Sequence, residues 1–363
     1  MADSLSRFPS FLATMSVLVT PFKSGGALSP RSIRQWRLAQ GLVWVVGFTI
    51  FACLVFLPDL GILLFWNILI PIAPALIVLA VGLWRNICPL ASTALLPRHL
   101  GISRQKKMSI ETQGILILLS VLLLYIIVPL RHPVFNVSGH ATAWLLAGTT
   151  LVAVTLGFFF EWKSAWCSTL CPVHPVERLY GTKVMGALPN AHCTACEKCV
   201  VPCPDSTPNL DPRGSQKTAP HRLAGLLITG GLPGFIWGWF HEADGTPVVS
   251  FLSWAGIYYM PLLGMLITLA LYALLTTRFR GKQERMVTAV FATAAVSCYY
   301  WYRIPSLLGF GKFPDDGCLI DLRDYLNATT VSGISIGLTL FFFWWLVIRK
   351  PNKSSWVIRP EYA

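Results

Sequence analysis

Long runs of apolar residues, separated by short polar segments, dominate the chain. Runs of about 20 apolar residues are typical of membrane-spanning helices, because that length crosses the hydrocarbon core of a bilayer. The pattern predicts eight spans, at about 40–58, 65–84, 113–130, 142–160, 222–240, 253–276, 285–302 and 330–348. The fifth is interrupted by Gly230, Gly231, Pro233 and Gly234, which a span tolerates where neighbouring helices satisfy the freed backbone groups. The predicted fold class is an all-α integral membrane protein with about eight transmembrane helices.

Composition and charge placement agree with this pattern. Of the 363 residues 54% are apolar and 12% are charged, against about 25% charged in soluble proteins. Of the 29 Lys and Arg, 25 lie on one side of the predicted spans if the N-terminus is cytoplasmic, counting Arg222 and Arg285 with the loops that precede them. Basic residues collect on the cytoplasmic side of membrane proteins, so both termini are predicted to be cytoplasmic. This bias and attraction to anionic lipid explain the net charge of +13 without any nucleic acid partner.

The distribution of ionisable residues also disfavours some functions. No Asp, Glu, Lys, Arg or His lies in the interior of a predicted span, whereas ion-coupled transporters and pumps usually carry such residues. A haem ligated in mid-membrane is disfavoured for the same reason. Three histidines, His132, His140 and His241, fall at the predicted outer face. They could ligate a haem or metal there, although histidines at span ends more often lie in the interface.

The most specific motif is "HCTACEKCVVPCPD" at 192–205, which spaces Cys193, Cys196, Cys199 and Cys203 as C-x2-C-x2-C-x3-C-P. This is the run that binds [4Fe–4S] clusters in bacterial ferredoxins, where three cysteines hold one cluster and the fourth ligates another. Zinc sites usually combine two cysteine pairs across a longer stretch. The run therefore predicts a ferredoxin-like iron–sulfur loop, with zinc or a loop without metal as the alternatives.

Three further cysteines, Cys88, Cys167 and Cys171, also map to the cytoplasmic side. Disulfides rarely persist in that reducing compartment, so the clustering of thiols again favours metal. Cys88 and Cys171 each precede a proline, and alignment on these pairs places Trp84 opposite Cys167. This indicates an internal repeat, or else a coincidence after two helix ends. Of the remaining cysteines, Cys53 and Cys298 lie inside predicted spans and are expected to be inert apolar residues, whereas Cys318 could pair with a partner protein or have no role.

A span followed by W-C-x3-C-P and then by a ferredoxin run resembles the membrane polyferredoxin family, which includes the NapH, NosR, MauN and CcoG proteins. The resemblance covers about 40–210 and rests on Cys167, Cys171 and the run at 193–203. It implies a bacterial inner-membrane electron carrier that takes electrons from quinol or a cytoplasmic donor. CcoG-like members instead reduce a metal during oxidase assembly. The chain departs from the family in having Trp84 where a cysteine is expected, a single ferredoxin run, and four additional spans.

Counting thiolates suggests how the seven cysteines are divided. Cys193, Cys196 and Cys199 would hold one [4Fe–4S] cluster, completed by Cys171 or, as the alternative, by Cys203. A second iron–sulfur cluster would then use Cys203, Cys88 and Cys167 and lack one ligand. His174, water or a missing iron could account for the gap. The other alternative is a single cluster with the remaining thiols idle.

The predicted organisation has five parts: a cytoplasmic N-terminal segment with a candidate interfacial helix (1–39), a four-helix membrane core (40–160), a cytoplasmic iron–sulfur segment (161–221), four further spans (222–348) and a cytoplasmic tail (349–363). The predicted function is electron transfer between the quinol pool or a cytoplasmic donor and a redox partner, which is a protein or a membrane complex. If the protein is an enzyme, the predicted activity is of the quinol dehydrogenase type. The alternatives are a metal-reducing or redox-sensing assembly factor, and an electron-wire subunit of a larger membrane complex. A quinone is a candidate second cofactor, and the lipid bilayer is the surrounding partner.

Overall fold

The structure, a computed structural model, describes residues 29–106, 108–160, 165–181, 183, 185, 188–189, 218–245, 248–313, 316–350 and 357–358. Almost all of the described segments are helical. The helices are α1 (Pro30–Phe56), α2 (Pro58–Ile62), α3 (Leu63–Leu69), α4 (Ile70–Ile87), α5 (Pro89–Ala94), α6 (Leu96–His99), α7 (Ile110–Leu130), α8 (Arg131–Phe135), α9 (Gly139–Phe159), α10 (Trp166–Leu170), α11 (His174–Tyr180), α12 (Ala219–Leu226), α13 (Leu227–Gly231), α14 (Leu232–Trp239), α15 (Phe251–Arg278), α16 (Lys282–Leu307), α17 (Ala328–Phe343) and α18 (Trp344–Ile348). Two short strands, β1 (Leu188–Pro189) and β2 (Val357–Ile358), pair in parallel.

Six of the described helical segments are long and apolar enough to cross a membrane, which confirms the prediction of a multi-pass all-α membrane protein. They are Pro30–Phe56, Pro58–Ala94, Ile110–Phe135, Gly139–Phe159, Phe251–Arg278 and Ala328–Ile348. The other two predicted spans, 222–240 and 285–302, fall in the helical segments α12–α14 and α16. Those segments are less apolar, because glycine, proline and tryptophan are frequent in the first and threonine, serine and tyrosine in the second.

Polar side chains mark where the long helices begin. Ser29, Ser109, Ser138, Ser250 and Asn327 precede α1, α7, α9, α15 and α17, and each side chain accepts a hydrogen bond from a backbone N–H of the first turn. Such N-caps satisfy amide groups that have no partner within the helix. The polar residues between the apolar runs therefore fix the helix starts.

Glycines in α13 and α14 allow close packing against α15. Gly230, Gly234 and Gly238 recur every fourth residue and so share one helix face. Gly234 lies against the backbone carbonyl of Gly264, and Gly238 lies against that of Met260. A Cβ at either glycine would clash with those carbonyls. The residues that interrupt the fifth apolar run thus bring two helices together, as small residues commonly do within membranes.

The Tyr300 hydroxyl bonds two backbone groups of α4 that lack their helical hydrogen bond beside Pro74. Pro74 lies inside α4, where proline disrupts the helical hydrogen bonds. The Ala75 N–H donates to the Tyr300 hydroxyl at 2.8 Å, and that hydroxyl donates to the Pro71 carbonyl at 2.7 Å. In a regular helix this N–H and this carbonyl would bond each other directly. Tyr300 therefore joins α16 to α4 by replacing one helical hydrogen bond.

The connections between the long helices collect at two ends. Cys88, Cys167 and Cys171 pack against one apolar cluster, whereas hydrogen bonds link His132, Asp244 and Asp316 from three other connections. Cys88, Cys167 and Cys171 lie at the end that is predicted to be cytoplasmic, called here the cysteine end. The α7–α9, α14–α15 and α16–α17 connections lie at the opposite, outer end. The largest cluster of buried apolar side chains fills the space between the ends, with contributions from α4, α7, α14 and α16.

Candidate functional site

The two Cys-Pro pairs have the same backbone conformation. Cys88 follows α4 with φ −58° and ψ 121°, and Cys171 follows α10 with φ −61° and ψ 120°. The residue before a proline is pushed into this extended region, so each helix ends at its cysteine. A helical segment follows both pairs, α5 after the first and α11 after the second. The internal repeat predicted from sequence therefore has a matching local geometry.

Backbone amides approach both of these thiols. Cys88 accepts hydrogen bonds from the N–H groups of Leu90 and Ala91, and Cys171 accepts one from the N–H of Val173. Hydrogen bonds of this kind stabilise thiolates and tune the potential of iron–sulfur clusters. Each Cys-Pro turn thus supplies amide donors that would stabilise a metal-bound thiolate.

Cys167 lies on the short helix α10, four residues before Cys171, and belongs to the same region. All three cysteines are partly buried and pack against one apolar cluster at the cysteine end. That cluster comprises Ala91, Ala94, Leu95, Ala153 and Trp166. Burial raises the pKa of the Cys171 thiol well above its usual value, and the neighbouring charges of Glu177, Cys167 and Cys88 raise it further. An isolated thiol here would stay protonated, and a bound cation would reverse that preference.

A buried polar group joins the two Cys-Pro elements. The Arg85 guanidinium donates to the Cys167 carbonyl at 3.0 Å and lies 3.4 Å from the Glu177 carboxylate. Trp84 also hydrogen-bonds Glu177. The tryptophan that stands opposite Cys167 in the repeat therefore contributes to this polar group, and Arg85 ties α4 to α10 and α11.

His174 completes the polar group. Its Nδ1 lies 3.5 Å from the Glu177 carboxylate, and the ring is only 1% exposed. Burial lowers the pKa of His174 to about 4, so the imidazole is neutral near pH 7. Burial alone would raise the pKa of Glu177, but the Arg85 charge and the contact with His174 bring it below the usual value. A neutral imidazole oriented by a carboxylate is a common arrangement for metal-binding histidines.

The ferredoxin run cannot be placed relative to these groups, because Cys193, Cys196, Cys199 and Cys203 lie outside the described residues. Among the residues that are described, no three His, Cys, Asp or Glu side chains form a group that could hold a metal ion. Each expected cluster takes at most two of its cysteines from the described part of the chain. The ligand sets proposed from the sequence therefore stay predictions.

The three outer histidines do not share a site. His140 is exposed, and His241 Nδ1 hydrogen-bonds the Trp237 carbonyl at 2.7 Å. Both ring nitrogens of His132 are engaged, with the Asp244 carboxylate at 2.5 Å and the Trp239 carbonyl at 3.0 Å. His132 is buried rather than interfacial, which corrects the expectation from its place at a span end.

His132 lies beside three ionisable residues that sequence reasoning missed, and the set is named here the outer cluster: Arg131, His132, Asp244 and Arg303. Arg131 and Arg303 are each 2% exposed. Each follows directly after a predicted span, as Arg85 does at the cysteine end. The available signal was an arginine at the first position after an apolar run, but such an arginine also fits the loop charges that orient a membrane protein.

Comparison with known proteins identifies no relative: no protein-family model, no curated protein and no solved structure matches this chain.

Proposed function

We propose that this protein is a membrane-bound iron–sulfur electron carrier, with eight passes and its cluster-binding segment on the cytoplasmic side. The observation that carries the proposal is the C-x2-C-x2-C-x3-C-P run at 193–203, which is specific for cluster binding. The two Cys-Pro turns support it, because their thiols face backbone amides and pack against one apolar cluster.

The proposed ligands follow the division made from the sequence. Cys193, Cys196 and Cys199 hold a [4Fe–4S] cluster together with Cys171. A second iron–sulfur cluster draws on Cys203, Cys88 and Cys167. Its missing ligand is His174, whose neutral ring and neighbouring Glu177 suit that role.

The clusters supply one-electron chemistry when bound, and the chain supplies ligation, burial and a docking surface. Electrons pass between the quinol pool or a cytoplasmic donor and a redox partner on the inner membrane. Arg85 holds the two Cys-Pro elements together through Cys167 and Glu177. This contact fixes the spacing of the thiols before metal arrives.

Anaerobic purification of the full chain tests the proposal. We expect a brown protein with labile sulfide, an electron paramagnetic resonance signal of reduced [4Fe–4S], and about seven to eight irons per chain. Cys196→Ala should abolish the first cluster, whereas Cys53→Ala, at a cysteine inside α1, should retain it. Stoichiometric zinc without iron would falsify the assignment, and about four irons would exclude the second cluster.

The proteins that co-purify separate the alternatives. A stoichiometric set of partner subunits would support the wire-subunit alternative. Substoichiometric capture of an immature oxidase would support the assembly factor. A free-standing protein whose clusters are reduced by a quinol analogue would support quinol-linked electron supply.

A further inference from the structure

A cavity of about 40 Å³ opens beside the outer cluster. Arg131, His132, Asp244 and Arg303 form its buried wall, and Glu242, Lys312 and Asp316 form its more exposed rim. The cavity draws on residues from both halves of the chain and lies at the opposite end from the cysteines. It therefore has no part in the proposed iron–sulfur chemistry.

The histidine and the aspartate of this wall form a pair with no net charge. His132 Nε2 faces the Trp239 carbonyl and must donate to it, while Nδ1 lies 2.5 Å from Asp244 Oδ1. A proton must lie between those two atoms, whichever of them carries it. Asp244 is also held by the Asn136 amide, which donates to Oδ2 at 2.7 Å. The pair is thus satisfied within itself and contributes no charge to the cavity.

The two arginines are less well satisfied. Arg131 lies between the rings of Trp66 and Trp239, at 5.3 Å from each centroid. Its Nη2 comes only within 4.0 Å of Asp244 Oδ2, and neither its Nε nor its Nη2 has an acceptor among the described residues. Arg303 Nη2 donates to Trp66 O and Asn67 Oδ1 at 2.8 Å each, but its Nε likewise has no acceptor in the part of the chain that is described.

The described lining residues carry a net charge of +1. The arginines contribute two positive charges and Lys312 one, whereas Glu242 and Asp316 contribute two negative charges. Asp315 lies outside the described residues and is not counted. Buried guanidinium groups that lack acceptors are costly unless an anion pairs with them. One monovalent anion would both neutralise the site and accept from the orphaned N–H groups.

We infer that this cavity binds a single small monovalent anion, the size of chloride or formate, between Arg131 and Arg303. Pockets for drug-sized ligands enclose about 300–1,000 Å³, so the volume here selects an ion and excludes an aromatic headgroup. Guanidinium groups favour planar carboxylates, and formate is therefore expected to bind more tightly than chloride. The anion would brace the outer ends of α7, α14 and α16 against one another.

Thermal unfolding of the purified full chain tests this site, with sodium formate or sodium chloride titrated against sodium gluconate at constant ionic strength. We expect a saturable rise in melting temperature for formate and a weaker one for chloride.

Three variants test the charge of the site. Glu242→Gln removes a negative charge from the rim and should tighten the apparent affinity for formate about threefold. Lys312→Gln should weaken it by a similar factor. Asp324→Asn, at an exposed residue of the same outer loop that does not line the cavity, is the matched control and should change nothing.

Two results would overturn the inference. One is the absence of a saturable response to either anion. The other is an equal response in Glu242→Gln and Asp324→Asn, which would mean general charge screening. If the wild-type protein does not respond and Asp315→Asn does, the carboxylate of Asp315 occupies the place assigned to the anion, and the site is an internal ion pair.

Discussion

Trp84, which stands opposite Cys167 when the two Cys-Pro pairs are aligned, has a defined contact. Trp84 hydrogen-bonds Glu177, which also lies within ion-pairing distance of Arg85 and His174. The position opposite Cys167 therefore contributes a contact between the two elements instead of a thiolate. Cys88 has the same turn as its counterpart Cys171, and backbone amides approach both sulfurs.

Substitution of Cys88 tests whether the two elements serve the same chemistry. Serine keeps the size of the side chain but replaces the sulfur that iron prefers. In Cys88→Ser we expect loss of one of two paramagnetic components and about half of the iron, with the other component retained. Cys298→Ser, at a half-buried cysteine of α16, serves as control. An unchanged spectrum would show that Cys88 is not a ligand and that the repeat has no functional meaning.

Among the helices, the important contacts are those that satisfy backbone groups at irregular points. Tyr300 bridges the break at Pro74, and the Tyr125 hydroxyl donates to the Leu227 carbonyl at the start of α13 at 2.8 Å. Water is absent from the hydrocarbon core, so such groups need partners from the protein. Tyrosines from neighbouring helices supply them here, which ties irregular segments to the packing of the whole bundle.

Tyr300→Phe should reveal the strength of one such contact. Phenylalanine fills the same space but leaves the Ala75 N–H and the Pro71 carbonyl without partners, at an expected cost of about 1 to 3 kcal/mol. We expect a lower melting temperature by circular dichroism, with the overall helical content unchanged. Tyr259→Phe, at an exposed tyrosine of α15, should leave the melting temperature unaltered. Equal stability of the two variants would contradict the bridging role.

Helix existence was predictable from the apolar runs, and the Cys-Pro turns were predictable because proline restricts the residue before it. The packing role of the glycines in α13–α14 was not predictable. The sequence does not distinguish a glycine that only interrupts an apolar run from one, such as Gly234, that packs against the backbone of Gly264. The outer cluster was missed for a different reason. His132 and Asp244 are 112 residues apart in the chain, and no local periodicity relates them.

For the whole molecule, the strongest expectation concerns which end faces the cytoplasm. Basic residues favour the cysteine end by 25 to 4, and charge bias of this kind orients membrane proteins. At the outer end two of the arginines are buried: Arg131 lies between two tryptophan rings and near Asp244, and Arg303 donates to Trp66 O and Asn67 Oδ1. The outer end thus has fewer basic residues than the cysteine end, and two of them are buried.

Reporter fusions test this orientation. An enzyme that is active only outside the cytoplasm, fused after residue 245, should give signal, because Gly245 lies exposed in the α14–α15 connection. The same reporter fused after 210 or 363 should give none. The reverse pattern would place the cysteine run on the other face, where thiols are oxidised and the proposed clusters would not assemble.

The separation of 112 residues between His132 and its carboxylate partner, Asp244, has a consequence for how the protein is made. The first four predicted spans insert while Trp239, Asp244 and Arg303 are still unsynthesised, so His132 lacks both of its hydrogen-bond partners and Arg131 has only the Trp66 ring beside it. Burial of this pair can be completed only when the α14–α15 connection arrives. Quality-control proteases would therefore meet, in any chain stopped before residue 244, a half-built bundle in which His132 lacks its Asp244 and Arg131 lacks the contacts made by the second half of the chain.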